Sequence, residues 1–299
     1  MASPRLAAFC CPKQDAGSRL LLAMPPRAFH ALRLACGALS LAMRLRGPPQ
    51  RSAGDLEPSP SLSPTHILRH AATCDTLGCL GLVLQSAVWL GFPGAMPGLV
   101  EDGETWAGVG PTAFCVASAL WIQLFYAACF YWLFCYALDS YLVVRRSSGV
   151  STILVYRLMS WGLAGLLCAE GALVLYSPSL SRCEGSTMQV LPLHLATYLP
   201  LLLAMLGIPV LRRGTLSAVD SAIKGGQGVY TARERKAQAL VGRRLLRPGV
   251  VLGACWGCNL LNEGLLLYLD TQPSLGERAH RGLRQAATTT WVMAISRHK

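Results

Sequence analysis

A run of residues without any formal charge, residues 116–138, constrains the fold of this chain more than any other feature. The run lies within the sequence CVASALWIQLFYAACFYWLFCYALDSYLVVRR, which begins at Cys115 and ends at Arg146. As a helix, the segment from Cys115 to Asp139 is roughly 36 Å long, slightly more than the roughly 30 Å hydrocarbon core of a bilayer. The run therefore predicts a helix that spans a membrane and has a polar end in each of two compartments.

The composition of the whole chain favours the same class of protein. Hydrophobic residues make up 53% of the 299 residues and charged residues only 14%, which is typical of an all-α membrane protein that crosses the bilayer several times. The net charge of +12 does not indicate nucleic-acid binding, because the basic residues lie between apolar runs and form no basic face. The sequence has no paired carboxylates, Gly-rich phosphate loop or Ser-His-Asp grouping, so it favours neither an enzyme nor a bound cofactor.

Cysteine usage gives little sign of a metal centre. Most of the twelve cysteines lie in apolar runs, where cysteine acts as a small hydrophobic residue. Cys255 and Cys258 form a C-x-x-C pair, but the pair lies inside an apolar run without a second pair or a histidine nearby. We therefore predict no zinc or redox site.

The apolar runs predict a seven-transmembrane-helix receptor bundle with six full spans and an incomplete seventh. The predicted spans cover residues 28–43, 71–92, 113–144, 152–176, 191–211, 249–269 and, in part, 286–295. The first is the weakest because it is short and contains Arg33, whose side chain is expected to snorkel to the interface. Residues 286–295 reach only about 15 Å as a helix, so if the natural chain ends at Lys299 we expect an incomplete bundle that signals poorly.

The basic residues predict the orientation of the bundle. The loops after spans one, three and five hold 4, 2 and 9 Lys or Arg residues, against 0, 1 and 3 after spans two, four and six. Cytosolic loops carry the excess of basic residues. Residues 1–27 are thus predicted to be luminal or extracellular, and residues 212–248 to form a basic cytosolic third loop.

This orientation brings two cysteines to the oxidising side of the membrane. Cys115 begins the third span, and Cys183 lies in the loop between spans four and five. A disulfide bond between them is predicted. Cys10 or Cys11 are competing partners, and two free thiols are the remaining alternative.

Carboxylates within apolar runs are candidate functional groups, because an ionised side chain is costly in a membrane. Asp75 is interpreted as part of an intramembrane polar or ion network, with a merely interfacial position as the alternative. Glu170 and Glu263 lie toward the outer ends of their spans, where a solvated position and a ligand contact are both open.

Two further groups of residues are candidate contact sites, one on each side of the membrane. An outer cavity for a small aromatic or zwitterionic ligand is predicted from Trp121, His194, Tyr198, Trp256, Asn259 and Glu263, although each aromatic residue also fits a packing or interface role. On the cytosolic side, a charged surface for a protein partner is predicted from Asp139, Tyr141, Arg145, Arg146, Lys224 and Arg235. For the basic loop, contact with anionic lipid is the alternative.

Several stretches resemble a known family. These are MASPRL at the start, PRAFHAL from Pro26, CDTLGCLG from Cys74, AFCVASALWIQL from Ala113 and YWLFCYALDSYLVVRRSSGVSTIL from Tyr131. On these residues the chain is similar, over almost its whole length, to the ocular albinism type 1 family of melanosomal G-protein-coupled receptors.

The resemblance implies a receptor of melanosome and late endosomal or lysosomal membranes, with some at the plasma membrane. It implies a ligand of the tyrosine pathway, such as L-DOPA, tyrosine or a dopamine-like molecule. It also implies coupling to a heterotrimeric G protein of the inhibitory type, arrestin as a further partner, and a role in melanosome biogenesis.

The sequence departs from the related receptors at specific positions. Asp139-Ser140-Tyr141 is similar to the Asp-Arg-Tyr of rhodopsin-like receptors, but Ser140 replaces the arginine, so the usual ionic lock does not carry over. Asn259 and Asn262 form no N-x-S/T site for glycosylation. Ala222 and Ile223 stand where relatives have a dileucine sorting signal.

Two other functions remain open at the level of sequence. Asp75, Glu170 and Glu263 within predicted spans also suit a membrane transporter, although no repeat between the two halves supports one. A signalling-deficient truncated isoform is the other alternative.

Overall fold

A computed structural model describes residues 26–46, 63–92, 109–144, 151–176 and 187–224, together with positions 257, 260, 261 and 264. Within these ranges the chain forms helices and no strand. The helices are α1 (Pro26–Arg46), α2 (Ser63–Gly91), α3 (Val109–Val144), α4 (Ser151–Tyr176) and α5 (Thr187–Lys224). The all-helical membrane fold predicted from the sequence is therefore confirmed.

Side-chain contacts show the relative direction of neighbouring helices. Arg44 of α1 reaches Thr76 of α2, and at the other end of the pair His30 stacks on Trp89. The thiol of Cys135 in α3 meets Ser160 of α4, while Cys168 of α4 reaches the carbonyl of Leu120. Each of these pairs is thus antiparallel. We use "Asp139 end" for the side of the bundle where α3 ends and α4 begins, and "Cys115 end" for the opposite side.

Helix α3 is the centre of the bundle. It packs against α2, α4 and α5, and its largest fully buried side chains are Ile122, Tyr126, Phe130 and Trp132. Because the helix is apolar on every side, it gains stability from burial on several faces at once. The uncharged run that dominates the sequence is therefore also the core of the described bundle.

Four of the described helices contain a segment long and apolar enough to cross a membrane. These segments are His66–Gly91 in α2, Ala113–Leu142 in α3, Ile153–Glu170 in α4 and Tyr198–Ala218 in α5. Helix α1 is 21 residues long but more polar. It packs on α2 along its length and so belongs to the same bundle.

Two features differ from the sequence-based expectations. Helix α5 continues past Leu211 to Lys224, into a stretch assigned to the third loop, because no glycine-proline break follows Pro209 to end the helix. The expected snorkelling of Arg33 is wrong. Its side chain is only 4% exposed and turns inward, where Nη2 donates a hydrogen bond to Oε1 of Gln85 at 3.1 Å.

Candidate functional site

The Asp139 end contains a buried polar cluster between α3 and α4. Asp139 is 0% exposed, and its carboxylate acts electrostatically on the hydroxyl of the buried Tyr156. One turn earlier on α3, Sγ of Cys135 lies 3.4 Å from Oγ of Ser160. Since Tyr156 and Ser160 are four residues apart, both lie on the face of α4 that meets α3. The acidic residue of the DSY sequence is thus held inside the bundle by the neighbouring helix.

Helix α5 approaches the same end of α3 closely. A Cβ atom added at Gly214 would lie 3.0 Å from Cε2 of Tyr141, so the ring packs directly against the backbone of α5. Ser140, between Asp139 and Tyr141, instead donates a hydrogen bond to the carbonyl of Tyr136 in its own helix at 2.8 Å. The three consecutive residues therefore have different roles: Asp139 faces α4, Ser140 stays within α3 and Tyr141 contacts α5.

At the Cys115 end, α3 is held to the rest of the molecule by two different groups. Cys115 is half-buried near the start of the helix and is disulfide-bonded. Its predicted partner, Cys183, lies outside the described residues, so the pairing stays a prediction. Trp121 is 44% exposed, and its Nε1 donates a hydrogen bond to the carbonyl of Leu77 in α2 at 3.0 Å. With the indole N–H used in this way, a ligand at Trp121 would contact the ring.

A second polar site lies between α1 and α2, nearer the Cys115 end. Arg33 donates to Gln85, and one turn further toward that end His30 stacks on Trp89 with ring centroids 4.1 Å apart. A guanidinium buried at this depth of an apolar bundle is costly unless it is hydrogen-bonded. The Gln85 amide oxygen supplies one such bond.

Asp75 forms an ion pair with Arg44 of α1. The same guanidinium donates hydrogen bonds to the carbonyl of Ala72 at 3.0 Å and to Oγ1 of Thr76 at 3.1 Å. These contacts give Asp75 a place in a polar cluster that joins α1 to α2. Whether this cluster holds an ion is still a prediction.

The remaining predicted residues are distributed as follows. Tyr198 is half-buried on α5. His194 and Lys224 lie within α5, but their side chains are outside the described part of the structure. Residues that lie wholly outside it are Trp256, Asn259 and Glu263 from the ligand set, and Arg145, Arg146 and Arg235 from the coupling set. Of the predicted groups, the structure thus brings together Asp139 and Tyr141.

The sequence did not predict which residues Asp139, Tyr141 and Arg33 contact. Tyr156 and Ser160 are polar residues four positions apart in an apolar run. This spacing indicates that they share one buried face of the helix. Gly214 carries a weaker signal, because a glycine inside a helix is a common site of close approach. The Arg33–Gln85 hydrogen bond depends on the pairing of α1 with α2, and no local pattern predicts it.

Comparison with known proteins identifies the family. Residues 1–297 match the family described as "Ocular albinism type 1 protein". This chain belongs to the ocular albinism type 1 protein family. A human relative, named G-protein coupled receptor 143, is 51% identical over 301 residues, which cover 99% of this chain and 74% of the relative.

Family membership bears on the class of protein that the sequence left open. The family and the name of the human relative indicate a receptor, and the helices indicate a protein that crosses the membrane several times. The resemblance drawn from the DSYLVVRR and AFCVASALWIQL stretches is confirmed.

Proposed function

We propose that this chain is a G-protein-coupled receptor that binds a small molecule at the Cys115 end and acts on a heterotrimeric G protein at the Asp139 end. The observation that carries the proposal is the 51% identity, over nearly the whole chain, to a human protein named as such a receptor. The buried position of Asp139 supports it, because this residue lies in the sequence motif that resembles the coupling motif of other receptors.

The finer proposal concerns the ligand and the signal. We propose a ligand of the tyrosine pathway, with L-DOPA first and tyrosine or a dopamine-like amine as related molecules. The partner is a G protein of the inhibitory type, with arrestin as a second cytosolic partner. The membrane is that of the melanosome or the late endosome and lysosome, where the receptor controls melanosome biogenesis.

Helix α3 links the two proposed sites. With 36 residues it is about 54 Å long and so extends from one side of the membrane to the other. At one end it carries Cys115 and Trp121, and at the other Asp139 and Tyr141 contact α4 and α5. A ligand that shifts α3 relative to its neighbours would therefore change the contacts of Asp139 and Tyr141. This is a coupling between two sites through one packed helix.

Nucleotide exchange and transport assays test the proposal. Membranes that contain this chain and an inhibitory-type G protein are exposed to L-DOPA, tyrosine and dopamine, and binding of radiolabelled GTPγS is measured. We expect L-DOPA to increase the nucleotide exchange rate, with no flux of labelled L-DOPA into proteoliposomes that contain the chain. Flux without nucleotide exchange would favour the transporter.

A further inference from the structure

Helices α2 and α4 both pack against α3 but have little contact with each other. A strip of aromatic side chains follows the face of α3 between them. Trp121 bonds to α2 and lies against Phe125, with ring centroids 4.7 Å apart, and Phe125 meets Trp161 of α4 edge-on at 6.0 Å. Further toward the Asp139 end, Trp132 stacks on His70 of α2 at 4.7 Å. We call this strip, defined by Trp121, Phe125, Trp132, Trp161 and His70, the α2/α4 groove.

The end of the groove nearest the Asp139 end is cationic. His66 and His70 lie one turn apart on α2 with ring centroids 4.8 Å apart. Arg69 of α2 and Arg157 of α4 act electrostatically on the His70 ring from the two sides of the groove. Both arginines are exposed, so their charges are available to a bound group.

Two buried nitrogen atoms lie beside these charges. Nε1 of Trp132 and Nε2 of His70 have no hydrogen-bond partner among the described residues. Trp132 is fully buried, and a buried donor without a partner is costly and uncommon in a folded protein. An anionic group bound at this end of the groove would counter the positive charge of Arg69 and Arg157 next to these atoms.

The surface next to the cationic end is apolar. Leu154 and Leu158 of α4 are 61% and 66% exposed, and Trp161 lies one turn beyond Arg157 on the same side of the helix. The groove thus presents positive charge at one end and hydrocarbon and aromatic surface along its length. This pattern is complementary to an amphiphile with an anionic head.

We propose that the α2/α4 groove binds one anionic phospholipid. Its phosphate groups contact Arg69, Arg157 and His70, and an acyl chain lies along Trp161 and Phe125. The predicted orientation puts the cationic end in the cytosolic leaflet, which carries the anionic lipids and attracts basic side chains. This inference does not depend on the identity of the receptor's ligand.

Native mass spectrometry of the purified full chain tests the proposal with short-chain lipids. The probes are dioctanoyl phosphatidylinositol 4-phosphate, dioctanoyl phosphatidylcholine and the free inositol phosphate headgroup. We expect the anionic lipid to bind at least about tenfold more tightly than either of the other two, since it alone has both the charge and the chains. Binding of the free headgroup as tight as that of the lipid would overturn the assignment to a lipid.

Variants locate the site. Arg69→Gln and Arg157→Gln are each expected to weaken binding of the anionic lipid about tenfold, the usual effect of removing one charge-assisted hydrogen bond. Arg213→Gln is the matched control, because Arg213 is an exposed arginine near the same end of the bundle but on α5. It is expected to leave the lipid affinity unchanged.

Three outcomes would contradict the site. An equal loss from Arg213→Gln would show general attraction of lipid to a basic surface. Unchanged binding in both groove variants, with melting temperatures equal to the parent, would show that the lipid binds elsewhere. If a glutamine variant does not fold, Arg157→Lys, which keeps the charge but loses the planar fork, is expected to bind with intermediate affinity. A loss of affinity in Arg157→Lys as large as that expected for complete loss of the charge would contradict a phosphate contact at this position.

Discussion

At the scale of single residues, the protein places its polar groups where two helices meet. Asp139, Tyr156, Cys135 and Ser160 join α3 to α4, and Arg33 and Gln85 join α1 to α2. Polar contacts between membrane helices contribute modestly, about 1 kcal/mol each, but they fix one register of two apolar surfaces. Apolar packing alone would permit several registers between two helices. The buried polar residues therefore determine which register forms.

The Tyr156 hydroxyl is expected to hold Asp139 in its buried position. Tyr156→Phe removes the hydroxyl and with it the electrostatic interaction with the Asp139 carboxylate. We expect a lower melting temperature in detergent and a changed basal rate of nucleotide exchange. Ser140→Ala is the control, because Ser140 bonds within its own helix. Equal effects from the two substitutions would show that the Tyr156 contact has no special role.

The Arg33–Gln85 pair permits a test by a double-mutant cycle. Gln85→Leu removes the acceptor from a buried guanidinium and is expected to destabilise the protein by about 1.5–3 kcal/mol. Adding Arg33→Met removes the charge itself, so the double variant is expected to recover part of the lost stability. Thermal unfolding in detergent measures both effects. Additive losses would contradict a direct coupling between the two side chains.

At the scale of helices, glycines determine how closely α2 packs on α3. A Cβ atom at Gly78 would lie 3.1 Å from the ring of Tyr126, and one at Gly81 would lie 2.6 Å from Cδ1 of Trp121. Neither ring moves away freely, since Trp121 is bonded to Leu77 and the Tyr126 hydroxyl lies 3.4 Å from the thiol of Cys79. This contact is of the small-residue kind that lets membrane helices approach closely.

Alanine substitutions at glycines distinguish the effect of side-chain packing on stability from the effect of helix propensity. Gly81→Ala is expected to destabilise the protein by about 1–3 kcal/mol through overpacking, partly offset by the better helix propensity of alanine. Gly162→Ala is the matched control, because a Cβ atom there meets nothing within 4 Å. We expect its melting temperature to equal or exceed that of the parent. A neutral Gly81→Ala would show that α2 and α3 do not pack as described.

The proposed link between α3 and the loop before α5 is tested by peptide mapping without reduction. Cys115 is disulfide-bonded, and we expect a peptide joined to Cys183. Cys183→Ser is expected to leave Cys115 reactive to a thiol reagent after the protein is unfolded. A bridge from Cys115 to Cys10 or Cys11 would replace the predicted pairing.

At the scale of the whole molecule, the sequence predicts the class of fold well and the contacts poorly. The uncharged run of residues 116–138 indicates α3 because a helix satisfies the backbone hydrogen bonds of one long membrane segment within that segment. The same uniformity hides which side of α3 faces which neighbour, since an apolar helix has no polar face to mark the outside. The residues that Tyr156, Gly214 and Arg33 contact are therefore known only from the packed structure.

The function was predicted from specific stretches and not from composition. Apolar spans and basic loops are shared by receptors and transporters, so they do not distinguish the two. The stretches around Cys115 and Asp139 resembled one family, and the family match over residues 1–297 confirmed the resemblance.

Whether the chain acts as a receptor on a G protein is tested most directly by nucleotide exchange. The measurement uses a purified inhibitory-type G protein mixed with this chain in lipid nanodiscs. We predict that L-DOPA accelerates GTPγS binding in the parent protein and that Tyr156→Phe changes this response with ligand binding retained. The contrary result is a nucleotide exchange rate that is the same with and without the chain when L-DOPA saturates the chain. That result would show that the chain does not act on this G protein.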